Sequence, residues 1–143
     1  MSSNHYIGFA DGACRITQNI SSVAWEIYDP NRELVIMQGI CLGRTTHNIT
    51  EYSVIIKLLS EAISLGLREF IVKLDSQLIV LQLNGKYLVR IRNPQIFRMY
   101  SRVRLFEQEF NFITYHHIPR RMNTLTKALA NYMLDKHLRT CKS

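Results

Sequence analysis

The sequence predicts a single mixed α/β domain, a sheet covered by helices, and three observations lead there. Segments of strand character and segments of helical spacing follow one another in the order βββαβααβα, which holds two strand–helix–strand units. The chain is 143 residues long, about what one hydrophobic core serves. Hydrophobic residues make up 47% and charged residues 20%, which excludes disordered, collagen-like and low-complexity classes. One domain is expected over residues 1–143, with its core at 6–138 and neither repeat nor linker.

From the N-terminus, His5–Asp11 alternates Ile7 and Phe9 with smaller residues until Asp11-Gly12, a short strand with Asp11 at its carboxyl end. Ser22–Tyr28 and Leu34–Leu42 are β-rich and are separated by Asp29-Pro30-Asn31-Arg32, where Pro30 presets φ. Trp25 in the first of these is expected to be buried. Tyr52, Ile55, Ile56, Leu58, Leu59, Ala62, Ile63 and Leu65 then recur with helical spacing, and Gly66 suits the left-handed position after the helix. Asn48 is the expected N-cap, with Glu51 three residues on as its capping-box partner.

Glu69–Leu74 reads as a fourth strand, ended by Asp75 as the first is ended by Asp11. A helix follows through Ile79, Val80 and Leu83, closed by Asn84-Gly85. Pro94 opens a longer helix to about Phe110 with Phe97 as a core anchor, Asn111–His117 alternates as a fifth strand, and Leu125 begins a last helix to about Leu138. In sheets of this kind ligands gather beyond the carboxyl ends of the strands, where Asp11 and Asp75 are expected.

The formal net charge is +7, and its distribution says more than its sum. Met1–Asp75 carries six basic and eight acidic residues, whereas Ser76–Ser143 carries twelve basic and three acidic. A half with that excess suits phosphates. Within it Lys86, Arg90, Arg92, Arg98, Arg102 and Arg104 run without an acidic neighbour, interleaved with Tyr87, Phe97 and Tyr100, as a surface that tracks a nucleic-acid backbone would be. Arg120 and Arg121 fit either phosphate contacts or a solvated pair.

Cys14, Cys41 and Cys141 lack any CxxC spacing, so neither a disulfide framework nor a zinc site is expected. The start has no basic segment followed by an apolar one, and no run approaches the ~18 apolar residues of a membrane span. The expectation is a reducing intracellular compartment, cytoplasmic or nuclear, with no membrane partner.

Asp11 and Asp75 at strand ends, with Glu51 in the first turn of the helix between them, form a set of hard oxygen donors. Two divalent ions ~4 Å apart on such a set can clamp the attacking and leaving oxygens of a phosphodiester. Local words sharpen this. Phe9-Ala10-Asp11-Gly12-Ala13, Thr46-His47-Asn48-Ile49-Thr50-Glu51-Tyr52, Leu74-Asp75-Ser76-Gln77-Leu78-Ile79-Val80, His117-Ile118-Pro119-Arg120 with Asn123, and Ala128-Leu129-Ala130-Asn131 together resemble type 1 ribonuclease H. The likeness is to the compact archaeal, bacterial, plant and plant-retroelement domains of that family, and it runs from about Tyr6 to Asp135.

The resemblance implies a five-stranded mixed sheet in the order 3-2-1-4-5 and cleavage of the RNA strand of an RNA–DNA hybrid with two Mg2+ ions, Mn2+ being the other candidate. It implies metal-binding roles for Asp11, Glu51 and Asp75, a hybrid contact for Asn48, assistance to turnover for His117 and an active-site place for Asn123. Amides such as Asn48 and Gln77 can bond the 2′-hydroxyl, the group that tells RNA from DNA. Lys86, Arg90, Arg92 and Arg120 are the expected phosphate contacts. A monomer is expected, either alone or beside a reverse transcriptase in a polyprotein.

Two departures from the family pattern stand out. The position of its fourth carboxylate is Lys127, a cation with no acceptor oxygen, and Asp135 lies ~12 Å further along the helix, too far to substitute. The turn after the first strand reads Arg15-Ile16-Thr17-Gln18-Asn19-Ile20 where the family has glycine and proline. Two readings therefore stay open: a ribonuclease slowed by Lys127, or a catalytically weak or inactive module that holds hybrid or double-stranded RNA. A different nuclease or recombinase of the same superfold is a third.

Overall fold

The computed structural model describes residues 5–15, 17–89 and 93–140; Arg90, Arg92 and Cys141 lie outside them. Strands β1 (Tyr6–Arg15), β2 (Ile20–Tyr28), β3 (Leu34–Gly43), β4 (Glu69–Leu74) and β5 (Phe112–His117) form one sheet in the order β3-β2-β1-β4-β5. Helix α1 (His47–Ser64) precedes β4, α2 (Gln77–Leu83) and α3 (Pro94–Glu107) lie between β4 and β5, and α4 (Thr124–Thr140) closes the chain after a 3-10 turn at Arg120–Met122. β1 pairs antiparallel with β2 and parallel with β4, and β4 parallel with β5, so the sheet is mixed, as expected.

Each face of the sheet has its own helical cover, because successive strand residues point to opposite sides. Val23 joins the core in which Tyr52, Ile55, Leu58 and Leu59 of α1 meet Phe70 and Val72, while its neighbour Ala24 packs with Ala13 against Ala130 and Leu134 of α4. Gly8 lets α1 come close: a methyl group there would run into the Phe70 ring and the Leu58 methyls. Trp25 is buried, and its Nε1 donates to Glu61 Oε1 at 3.4 Å. Among the described residues no helix is long and apolar enough to cross a membrane.

Several boundaries differ from the sequence reading. β1 runs through Asp11-Gly12 to Arg15, because the hairpin ladder with β2 continues to the Arg15–Ile20 pair. The cap of α1 is Thr46, whose Oγ1 accepts from Ile49 N at 3.3 Å, so Asn48 is a helical residue and its capping box with Glu51 does not form. α3 stops at Glu107, after which Gln108, Glu109 and Phe110 donate to carbonyls three residues back, a tightening that ends the helix. Asn111 donates to Arg68 O and only then does β5 begin, at Phe112. Phe97 is 36% exposed; Ile96 and Val103 anchor α3 instead. Gly66 and Gly85 do take the left-handed conformation, with φ of 78° and 75°.

Candidate active site

Three neighbouring strands bring the key residues to one end of the sheet. Ala10 is in register with Leu74, and Leu74 with His117. Asp75 is the first residue beyond β4, just before Ser76, whose hydroxyl caps α2 by accepting from Ile79 N at 3.4 Å. Asp11 is one residue beyond Ala10, where β1 loses β4 as a partner but stays paired to Ala24 of β2. It thus sits at the end of the parallel pairing rather than at a strand end. Glu51 comes from the second turn of α1, not the first, because the helix is capped at Thr46 and already begins at His47.

Asp11, Glu51 and Asp75 line one cavity of about 10 Å³ with Gly12 and Ser76, walled by Val54, Ile55, Leu74 and Ile79. Glu51 is held by His47, whose Nε2 lies 2.9 Å from Oε1, and by Ser76, which donates to Oε2 at 3.2 Å. Asp11 Oδ1 accepts from Gly12 N at 2.8 Å, while Oδ2 is buried and receives no hydrogen bond. Lys127 Nζ stands 3.2 Å from that oxygen, paired by charge, and donates to Gly12 O at 2.5 Å. Asn123 is fully buried; its Nδ2 donates to Ala10 O at 3.1 Å and to Asp75 Oδ2 at 3.4 Å, and its Oδ1 has no partner.

Burial pushes the Asp11 carboxyl up to about 6; the Lys127 ammonium opposes this and the Asp75 charge adds to it. Burial also raises Glu51, against the pull of His47 and Ser76 and with the charge of Asp75 behind it. Among the described residues no three His, Cys, Asp or Glu side chains close on one point as an all-protein metal cage would. Mg2+ does not need such a cage, since it is commonly held by one or two carboxylates with substrate phosphates completing the shell. Asp11 and Asp75, with Glu51 beside them, are a donor set of the kind that fits one such ion. The position at which the resemblance implies a fourth carboxylate presents the Lys127 ammonium instead.

Of the other expected residues, Asn123 and Lys127 join the carboxylates. His117 lies exposed at the end of β5, and of the histidine pair it is His116 that is engaged, 3.0 Å from Thr114 Oγ1. Gln77 is exposed at the start of α2, and Arg120 is exposed in the 3-10 turn. Asn48 and Lys86 are not at the carboxylate cavity; they line a separate groove of about 630 Å³ with Gln82, Tyr87, Leu88 and Asn93. Arg104 leaves the expected basic surface: it donates to Glu107 at 3.0 Å and to Leu83 O at 2.8 Å, ties inside the fold. Sequence reasoning missed His47 and Ser76. The i,i+4 spacing of His47 and Glu51 on a helix could have revealed the first.

The model of a family described as reverse transcriptase-like matches residues 9–133, and a ribonuclease HI of Halobacterium salinarum is 32% identical over 127 residues, 89% of this chain and 63% of that protein. The chain belongs to the type 1 ribonuclease H family. A bifunctional protein of Mycobacterium tuberculosis is 29% identical to this ribonuclease H chain over 127 residues, and the chain spans only 34% of its length. The N-terminal ribonuclease H domain of that protein, solved as a fusion with maltose binding protein, superposes with a TM-score of 0.88 at 27% identity, covering 97% of this chain and 99% of that one. LC11 ribonuclease H1, solved in complex with an RNA/DNA hybrid, gives 0.86 at 27% identity over 93% of this chain and 99% of its own. The five-stranded sheet and its strand order are thus those of ribonuclease H.

Proposed function

We propose that this ribonuclease H domain binds RNA–DNA hybrid and hydrolyses the RNA strand. The observation that carries the reading is the cavity shared by Asp11, Glu51 and Asp75 at one end of the sheet. The likeness to a ribonuclease HI and to a ribonuclease H1 that holds a hybrid supports it. Asp11 and Asp75 would hold Mg2+ or Mn2+, which supplies a polarised phosphate and an activated water when bound. Asn123 orients Asp75, and Ser76 with His47 orients Glu51. Asn48 and Gln77 bond the 2′-hydroxyl of the RNA strand, Lys86 and Arg120 hold phosphates, and the exposed His117 moves protons as product leaves. The domain works as a monomer in the cytoplasm or nucleus, alone or joined to a reverse transcriptase.

One observation favours the second reading, a module that binds hybrid or double-stranded RNA with little or no cleavage: the Lys127 ammonium rests on Asp11. A labelled hybrid incubated with Mg2+ and with Mn2+, beside a salt series for binding, decides between them. Cleavage confined to the RNA strand upholds the enzyme. Tight, salt-dependent binding without cleavage in either metal makes the domain a recognition module.

A further inference from the structure

Lys127 is held in place by more than its own chain. Its backbone N–H donates to Asn123 O at 3.0 Å, the preceding Thr126 donates its hydroxyl to the buried Glu26 at 2.5 Å, and Ala130 O accepts from Ser22 Oγ. The first turns of α4 are therefore pinned to the sheet, and the Lys127 side chain crosses to β1. An ammonium has three donors. Here one reaches Gly12 O, the charge faces Asp11 Oδ2, and the side chain remains 42% exposed.

We propose that Lys127 is a covalently held second cation of this site: the domain takes one divalent ion per chain, and the ammonium supplies the other positive charge at Asp11 and bonds a phosphate oxygen of the hybrid. The inference rests on the hybrid-binding reading above. Charge arithmetic points the same way. Three ionised carboxylates and one ammonium leave two negative charges, which one divalent ion neutralises; a second ion would leave the cluster strongly positive. A carboxylate at position 127 would instead leave four negative charges, the complement of two divalent ions.

The test counts ions in the free protein by titration with Mn2+ followed by electron paramagnetic resonance, which needs neither hybrid nor turnover. One bound ion in the wild type and two in Lys127→Asp are expected; any other pair of counts overturns the proposal. Should Lys127→Asp fail to fold, the wild-type count and Lys127→Met decide. Lys127→Met is expected to bind hybrid about threefold more weakly than the wild type in EDTA, where the ammonium is the cation left at Asp11. Equal affinity there, or a wild-type count other than one, overturns it. Failure of the hybrid-binding reading is a separate result, seen as a wild type that binds no hybrid while the ion counts still stand.

Discussion

At Asp75 the carboxylate leans on a buried amide, Asn123 Nδ2 at 3.4 Å, and looks across the cavity at Asp11 and Glu51. Exchanging it for asparagine keeps the shape and removes the charge. Asp75→Asn is expected to lose at least about 100-fold in Mg2+-dependent cleavage while binding hybrid as the wild type does. Cleavage of a labelled hybrid beside a binding titration checks this, and surviving activity would put the chemistry elsewhere. Lys127→Asp should move in the other direction, because an oxygen donor replaces an ammonium at 3.2 Å from Asp11. Its Mg2+-dependent rate should rise, about tenfold for each 1.4 kcal/mol recovered. No gain with the fold intact would sink the view that Lys127 limits this site. The acidic trio was legible because each member follows a recognisable word. Ser76 was not, since a capping serine looks the same whether or not a carboxylate lies behind it.

At the scale of the element, the start of α1 shows how function and local structure compete for one sequence. Thr46, Asn48 and Glu51 could form two alternative caps, and sequence alone favoured Asn48 because a glutamate stands three residues on. The folded chain uses Thr46, whose hydroxyl also frees the Asn48 side chain to stand exposed in its groove and leaves Glu51 to turn toward Ser76. Thr46→Ala should therefore cost about 1 kcal/mol of stability, whereas Asn48→Ala should cost almost none and weaken hybrid binding instead. Urea midpoints of the two variants separate the assignments, and a larger loss in Asn48→Ala would restore it as the cap. The extent of β1 was hidden for a related reason. Gly12 reads as a turn residue, but here it is a strand position where a methyl group would strike Thr50, so the glycine marks close packing of α1 rather than a chain reversal.

Over the whole molecule, periodicity was enough for the element order and a mixed sheet, but the strand order came through family resemblance, because periodicity does not say which strands are neighbours. Net charge was legible as a tendency and not as a surface, and Arg104 shows why. Counted in sequence it extends the basic run, yet in the fold it is consumed by Glu107 and by the carbonyl of Leu83, whereas Lys86, Arg98, Arg102 and Arg120 stand exposed. Counterion release turns that distinction into a measurement, since log Kobs falls with log salt by about 0.9 for each phosphate neutralised on duplex DNA. Lys86→Ala and Arg120→Ala should each flatten the salt slope for hybrid binding by about 1 and weaken binding to the same degree whatever the hybrid sequence. Arg104→Ala should leave the slope unchanged and lower the thermal midpoint, because it strands Glu107 beside Tyr115, whose hydroxyl donates to the same carboxylate at 2.6 Å. If instead Arg104→Ala flattens the slope and Lys86→Ala does not, the hybrid crosses a different face, and the groove lined by Asn48 and Lys86 is not part of its path.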